Sequence, residues 1–304
     1  MKKIKVAFIY HKNNIFLSGN HFDNTFYNFY IKALRRNENL EITTLGRGGS
    51  DTTAVALAAS LNADICEIYT DVEGIFTADP KIVKNAKRID YLSYEDMLEL
   101  ANYGAKMHPR SIELGLYYNM PIIIKSSFKN TFGTIICNIE KLNDLNKRGI
   151  ILNQITENRN KVTGVTSEGN ISKITLHSIP DKPGIATKVF KPLSEAGINV
   201  DVIVQNISQN HKTDLTFTVK NEDLTHALKI VQNKSIKNIN YENITSGSNY
   251  AKISIIGTGI QNSPGYAAKF FEALFNSKVN IEMITTSDIR ITCLINDTDL
   301  DKAV

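Results

Sequence analysis

The sequence predicts an α/β protein: a three-layer domain built on a parallel sheet, followed by two smaller ferredoxin-like units. The first part rests on alternation, because apolar strand-like runs alternate with amphipathic helical segments. The second part rests on repetition, because the segment that starts at Lys173 is echoed by one that starts at Lys252. The predicted division is an unassigned segment 1–40, a sheet domain 41–140, a connector 141–170 and repeats 171–245 and 246–304.

The sheet domain begins with a strand, a glycine turn and a helix. A short strand is predicted at residues 42–45, and the helix that follows the glycines is expected to be capped by Ser50 or Asp51. The next run, ADICEIYTD, is apolar enough for a strand buried inside a parallel sheet.

Two further helices and two strands complete the predicted domain. Ser93 opens a capping box, and Pro109 stands where a helix favours proline, at its first turn. The segments PIIIKSS and GTIICNI, at residues 121–127 and 133–139, are predicted strands. The polar stretch after them is typical of a connector.

Each repeat is predicted to contain a strand, a Pro-Gly turn, a helix and a second strand. Pro183-Gly184 corresponds to Pro264-Gly265, 81 positions further on. The first repeat continues with a strand and a helix, in the β-α-β-β-α-β order of a ferredoxin-like unit. The second ends at Val304 inside its second helix, so its sheet is expected to expose an edge or to need a partner.

Composition excludes several classes of partner. The net charge of +4 is small for 304 residues, which gives no argument for nucleic acid or an anionic membrane. No apolar run approaches the length of a membrane span. Cys66, Cys137 and Cys293 lie in apolar runs without metal-ligand spacing, which favours reduced buried thiols, no metal site and a cytoplasmic protein.

The stretch GRGGSD, at residues 46–51, is the first candidate site. It is not a P-loop, and Asp51 stands where a G-x-G-x-x-G motif needs its last glycine. The free N–H groups and the dipole of the following helix attract an anion. Arg47 offers a planar fork for a carboxylate or phosphate, and Ser50 offers one more hydrogen bond. The alternative is a tight turn that leaves Arg47 in solvent.

Two more segments carry candidate ligands. Thr70 and Asp71 end a predicted parallel strand, where ligands gather in open α/β sheets, although the nearby Asp79-Pro80 is better explained as a turn. Lys106 follows a glycine near a helix start and is able to reach a phosphate. His108, before Pro109, is more typical of a helix cap than of a catalyst.

Taken in order, these segments resemble aspartokinase. The resemblance is carried by TTLGRGGSDTTAVALAASLNAD, EIYTDVEGIFTADP, LSYEDMLELANYGAK, HPRSIEL and SSFKNTFGTII, and it continues through PDKPGIATKVF, AGINVDVIVQN and TSDIRITCLI. It extends over residues 41–304. It implies an amino-acid-kinase-like domain followed by paired ACT domains, which in this family bind an amino-acid end product.

The resemblance also implies a reaction and its site. The reaction is transfer of the γ-phosphoryl group of Mg²⁺-ATP to the side-chain carboxylate of L-aspartate, on the way to lysine, threonine and methionine. The aspartate side would hold Arg47, Ser50 and Asp51. The ATP side would hold Thr70, Asp71, Phe76, Lys81 and Lys106. Phe76 and Lys81 replace the family's usual tyrosine and arginine, and they keep stacking and charge.

The sequence departs from the family at its N-terminal motif. The family's Lys-Phe-Gly-Gly strand is not found in KKIKVAFIY, and GAKMHPR is one residue shorter than usual. Two functions therefore remain open. One is an aspartate kinase, and the other is an inactive chain or a regulatory, amino-acid-sensing subunit. The ACT domains imply a homodimer or higher oligomer, or assembly with a full-length kinase chain.

A predicted effector site lies at the Pro-Gly turn of the first repeat. Free N–H groups at the helix start suit the carboxylate of an amino acid, and the family implies lysine or threonine as the ligand. The predicted site residues share this turn or the following strand, with one addition from the second repeat: Asp181, Gly184, Ile185, Ala186, Asn199, Gln205, Asn206 and Asp288. The alternative is that both turns only cap helices.

Overall fold

The structure, a computed structural model, divides into two compact units. It describes residues 48–102, 107–151, 162–206, 211–233, 239–260 and 264–304, together with the backbone of 5–11 and 14–17. The first unit contains residues 1–166, 255–264 and 288–290, and the second unit contains the remainder. The predicted strand at 42–45 lies outside the described residues.

The first unit is a mixed sheet with helices packed on it. In chain order its elements are β1 (Lys5–His11), β2 (Asn14–Leu17), α1 (Gly49–Ser60), β3 (Ile65–Thr70), β4 (Tyr91–Leu92), α2 (Tyr94–Asn102), α3 (Pro109–Tyr118), β5 (Ile122–Ser126), β6 (Thr134–Ile136) and α4 (Ile139–Lys147). The strand order is β2-β1-β3-β5-β6-β4. The strands β1, β3 and β5 run parallel, which confirms the predicted α/β class.

Apolar burial explains the central strands. Ile65, Cys66, Ile122 and Ile123 are at most 2 % exposed, because each strand is covered on both sides. Such continuous burial is characteristic of parallel strands and stabilises the unit by about 1.5–3 kcal/mol for each large apolar side chain. The antiparallel hairpin β5–β6 then adds its apolar strand to the same core.

The start of α1 differs from the prediction. The residue before the helix is Gly48, in the left-handed conformation with φ 74°, and it makes no side-chain cap. Ser50 and Asp51 lie inside the first turn, so the predicted cap by either residue is wrong. Gly48 occupies the cap position instead, because glycine adopts the left-handed conformation without strain.

The polar stretch after residue 140, which suggested a connector, contains α4. Leu142 and Leu145 are fully buried in the core of the first unit. They are three residues apart and share one face, so a short amphipathic helix packs where the low apolar content indicated a linker.

The second unit carries both repeats in one sheet. Its elements are β7 (Gly164–Pro180), α5 (Ile185–Glu195), β8 (Ile203–Gln205), β9 (Lys212–Lys220), α6 (Leu224–Val231), β10 (Asn243–Ile256), α7 (Tyr266–Asn276), β11 (Met283–Ser287), β12 (Arg290–Asn296) and α8 (Leu300–Ala303). The strand order β11-β12-β10-β7-β9-β8 joins the two repeats through neighbouring β7 and β10. The short strands β8 and β11 form the edges.

Ion pairs made by two lysines connect the repeats reciprocally. Lys252 of the second repeat is 3 % exposed and contacts Asp201 of the first repeat and Glu168 of β7, the latter at 2.7 Å. Lys173 of the first repeat contacts Glu282 of the second at 3.0 Å. Lys173 and Lys252 open the two repeats, and Asp201 and Glu282 are 81 positions apart. Each lysine therefore finds its counterion in the other copy.

The three cysteines lie in the protein interior as free thiols. Cys66, Cys137 and Cys293 are all buried, and burial raises the pKa of each thiol. This confirms the expectation of reduced, buried cysteines.

The helices are short in relation to a lipid bilayer. Among the helices of the described ranges, none combines the length and the apolar character that a bilayer crossing requires.

The capping box at Ser93 forms only in part. Ser93 Oγ accepts the N–H of Asp96 at 3.1 Å, as predicted, but the Asp96 carboxylate does not complete the box. Instead it accepts hydrogen bonds from Thr163 Oγ1 at 3.0 Å and from the Thr258 N–H at 3.1 Å. Burial raises the pKa of Asp96 despite these two hydrogen bonds.

Replacing Asp96 with asparagine is expected to change how stability depends on pH. The pKa of Asp96 is higher in the folded than in the unfolded state, so stability falls as pH rises from about 4 through the folded pKa. Asp96→Asn removes this titration and keeps an oxygen for the Thr258 N–H. Urea denaturation at several pH values should therefore show that the stability of Asp96→Asn declines less with rising pH than the stability of the wild type.

The matched control is Asp301→Asn, on the exposed face of α8. This variant is expected to keep the wild-type pH dependence. Identical slopes for Asp96→Asn and wild type would contradict the proposed origin of the effect.

Candidate functional site

The start of α1 packs against the start of α3. A Cβ added to Gly48 would lie 2.3 Å from the ring of His108, so only glycine permits this contact. His108 Nδ1 accepts the N–H of Arg110 at 3.3 Å and caps α3, as its sequence position indicated. The structure therefore brings the glycine turn and the HPR segment together, although they are distant in sequence.

Asp51 lies at this junction in a partly buried position. Burial raises its pKa, while a hydrogen bond from Ser50 and the nearby His108 act in the opposite direction. The Ser50 Oγ lies 3.4 Å from Asp51 Oδ1. Arg47, the predicted anion fork, lies outside the described residues. The first turn of α1 retains N–H groups that have no acceptor within the helix, which suits a negative group.

The carboxyl ends of β3 and β5 are fastened to each other. The Ser127 N–H donates to the carbonyl oxygen of Thr70 at 2.8 Å. Lys129 Nζ, beyond β5, contacts Glu73 Oε1, beyond β3, at 2.6 Å. Thr70 Oγ1 donates to Asp71 Oδ1 at 3.0 Å, which orients the exposed Asp71 carboxylate at this edge. Two loops thus line one end of the parallel strands.

A buried ion pair supports that edge from within the sheet. Lys125 Nζ lies 2.8 Å from Glu67 Oε1, and both side chains are largely buried. The Tyr69 hydroxyl donates to the other Glu67 oxygen at 3.0 Å, and burial followed by the nearby Glu67 raises the pKa of Tyr69 to about 12. The sequence pattern did not predict this group of three side chains. The available signal was one charged residue inside each of two buried strands.

The remaining nucleotide-side candidates lie in the loop after β3. Phe76 pairs with Arg88 as an isolated β-bridge. Lys81 is exposed, and its N–H donates to Asp79 Oδ1 at 2.8 Å, which confirms the predicted Asp-Pro turn. Lys106 lies outside the described residues.

The candidate effector turn precedes α5, which begins after a left-handed glycine as α1 does. Gly184, at φ 88°, precedes the helix without a side-chain cap, and the Asp181 N–H donates to the His211 carbonyl oxygen at 2.8 Å. Ile185 is half-buried. The other predicted residues of this unit are exposed: Ala186, Asn199, Gln205 and Asn206. Asp288 is exposed and belongs to the first unit.

Comparison with protein families finds two kinds of domain along the chain. Residues 31–126 match the amino acid kinase family, and residues 177–234 and 253–304 match the ACT domain. The class defined by fold and sequence is therefore an amino acid kinase segment joined to a pair of ACT domains.

Full-length relatives make the assignment more specific. The aspartokinase of Corynebacterium glutamicum is 44 % identical over 269 residues, which cover 88 % of this chain and 61 % of the relative. The aspartokinase of Pseudomonas aeruginosa is 41 % identical, with 88 % and 62 % covered. The chain is therefore similar to aspartokinases, and it spans about three fifths of the length of the curated relatives it matches.

The chain is also similar to solved structures of aspartate kinases. Clostridium acetobutylicum aspartate kinase superposes with a TM-score of 0.75 at 28 % identity, over 88 % of this chain and 59 % of that one. Escherichia coli aspartokinase III, in complex with aspartate and ADP, gives a TM-score of 0.67 at 27 % identity over 88 % and 56 %. The same protein has also been solved in complex with lysine and aspartate.

The contact between Gly48 and His108 is testable with two matched glycines. Gly48→Ala and Gly184→Ala both place a side chain at a left-handed position, which costs about 1–2 kcal/mol. Only Gly48→Ala also displaces a neighbouring side chain, because nothing lies within 4 Å of the Cβ position at Gly184. Gly48→Ala is therefore expected to be more destabilising by a further ~1–3 kcal/mol.

The measurement is urea denaturation followed by hydrogen exchange, which reports each unit through its own peptides. His108→Ala should restore part of the stability that Gly48→Ala loses. Equal losses in the two glycine variants would show that the His108 packing contributes nothing.

Proposed function

We propose that this chain is an aspartate kinase homologue that binds Mg²⁺-ATP and L-aspartate and transfers the γ-phosphoryl group to the aspartate side-chain carboxylate, giving 4-phospho-L-aspartate. The observation that carries this proposal is the joined carboxyl edge of β3 and β5, where Thr70 and Asp71 lie. Ligands of open α/β sheets bind at such an edge. The aspartate- and ADP-bound Escherichia coli homologue supports the same ligands here.

The two substrates have distinct places in this proposal. The aspartate carboxylate is received by the first turn of α1 with Arg47 and Ser50, since free N–H groups and a guanidinium suit that charge. Asp51 orders this turn. The nucleotide lies toward Thr70, Asp71, Phe76 and Lys81, with Lys106 near its phosphates. Phosphoryl transfer needs positioning and charge neutralisation, so no covalent protein nucleophile is required.

Magnesium fits the donor groups present. Mg²⁺ is held by few carboxylates together with nucleotide phosphates, and Asp71 is an exposed carboxylate at the strand end. When bound, the ion neutralises phosphate charge. The residues of the chain then orient the carboxylate and the triphosphate toward each other.

A regulatory role is the second candidate, and the paired ACT domains favour it. Gly184 and Gly265 each start a helix in the left-handed conformation, so the two copies offer equivalent N–H groups. Lysine or threonine is the proposed effector, and the lysine complex of the Escherichia coli homologue supports lysine. The assembly proposed is a homodimer or higher oligomer through the ACT domains, or a complex with a full-length kinase chain, in the cytoplasm.

Calorimetry separates the binding of the two substrates. Arg47→Lys should weaken L-aspartate binding by about tenfold or more, because lysine cannot form a bidentate contact, and should leave MgADP binding nearly unchanged. Equal weakening of both ligands would assign Arg47 a structural role. A coupled ATP/aspartate assay, with and without a full-length aspartokinase, then distinguishes an active kinase from a regulatory subunit.

Effector binding should appear as a rise in melting temperature. A ligand at 100 times its Kd adds about 2.7 kcal/mol to the stability of the folded state. We expect lysine or threonine to raise the transition of the wild type, methionine to have no effect, and Gln205→Ala to reduce the shift. Absence of any shift with all three amino acids would reject the sensing function for this chain.

A further inference from the structure

Three neighbouring strands of the second unit align a carboxylate, an imidazole and a hydroxyl. Asp214 on β9 lies with Oδ2 3.0 Å from His177 Nδ1, on β7. His177 Nε2 lies 2.8 Å from Thr245 Oγ1, on β10. Because the strand order is β10-β7-β9, each contact joins adjacent strands. This is the order of groups in an acid–base–nucleophile relay.

Hydrogen bonding assigns the role of each atom. Asp214 accepts the Ser178 N–H on Oδ1 at 2.9 Å, and this bond and His177 hold the pKa of Asp214 below its usual range. An ionised carboxylate only accepts, so His177 donates its Nδ1–H to Asp214, and the proposal below uses the tautomer with that single ring proton. The Nε2 atom is then an acceptor, and it receives the Thr245 hydroxyl hydrogen.

A bulge in β7 aims these groups. The register between β7 and β9 shifts between Leu176 and Ile179, and Ser178 has φ 57°, an unusual value for a non-glycine residue. Such bulges redirect side chains and are frequent beside active sites. In this backbone conformation the Ser178 N–H donates to Asp214.

A second set of contacts holds the backbone at His177 and Ser178. The Glu242 N–H donates to the His177 carbonyl oxygen at 3.0 Å. The Glu242 carboxylate accepts from Ser178 Oγ at 3.0 Å and from Lys212 Nζ at 2.7 Å. The ring itself is held by its contacts with Asp214 and Thr245, and its side chain is 34 % exposed, which gives small reagents access to it.

We propose that Asp214, His177 and Thr245 form a nucleophilic site that accepts an acyl group from an activated acyl compound such as an acyl phosphate. Thr245 Oγ1 attacks the acyl carbon, and its proton passes to His177 Nε2. The bond from the acyl carbon to the phosphate oxygen breaks, inorganic phosphate leaves, and Thr245 becomes an ester. Asp214 stabilises the imidazolium that forms. This chemistry is independent of the proposed phosphotransferase activity.

The same sheet supplies a matched control. Thr175 and Thr216 pair through their hydroxyls at 2.9 Å across β7 and β9, with no histidine among the contacts described for them. Thr175 lies on the same strand as His177, but no histidine contacts its hydroxyl. Thr175→Val therefore removes a hydroxyl from this sheet without removing the proposed nucleophile.

The experiment treats the full chain with acetyl phosphate and maps acetylation by peptide mass spectrometry. Wild type and Thr175→Val should carry an acetyl ester on Thr245, and Thr245→Val should carry none in that peptide. The rate with p-nitrophenyl acetate should fall on the order of a hundredfold in His177→Gln, at the lower end of what a positioned general base contributes. Added imidazole should restore part of that rate.

Several results would overturn the proposal. Acetylation confined to lysines, or an ester rate equal in wild type and Thr245→Val, would leave the three residues as a structural hydrogen-bond chain. A His177→Gln variant with the wild-type melting temperature and rate would do the same. Loss of the rate together with lowered melting temperature and no imidazole rescue would indicate misfolding at the bulge and would also reject the relay.

Discussion

A glycine in the left-handed conformation precedes each of the helices α1, α5 and α7. Gly48, Gly184 and Gly265 have φ between 74° and 100°, and none of these three helices has a side-chain cap. A Ser or Asp cap would use up one of the free N–H groups of the first turn. Glycine starts the helix without a side-chain cap, so no side chain of the cap residue occupies these N–H groups. The kinase segment and the ACT domains thus use the same local backbone solution.

Much of the α/β segment follows from the sequence alone. The strands β3 and β5, the Pro109 start of α3 and the His108 cap are all local consequences of apolar runs and of residues with fixed preferences. The Asp-Pro turn at Asp79 is local in the same sense. These features depend on residues that are only a few positions apart, so they can be predicted from a single sequence.

The failures of prediction share a long-range origin. Asp96 looks like the end of a capping box, but its partners Thr163 and Thr258 are more than sixty positions away. The Glu67–Lys125 pair joins two strands that the sequence does not align. The helix α4 looks like a connector because few of its residues are apolar, although Leu142 and Leu145 are buried in the core. Local sequence patterns do not indicate such long-range contacts. For the same reason they did not predict that the two repeats share one sheet.

The exchange of counterions between the repeats has an evolutionary consequence. Lys252 depends on Asp201 and Glu168, and Lys173 depends on Glu282, so neither copy is electrically complete without the other. A duplicated domain usually begins as two identical copies. Here each lysine and its carboxylate partner lie in different copies, so both residues of a pair must be retained together. A recombination event that imported only one copy would bring in a buried ammonium group without its carboxylate. The two copies are therefore expected to be inherited together and not exchanged separately.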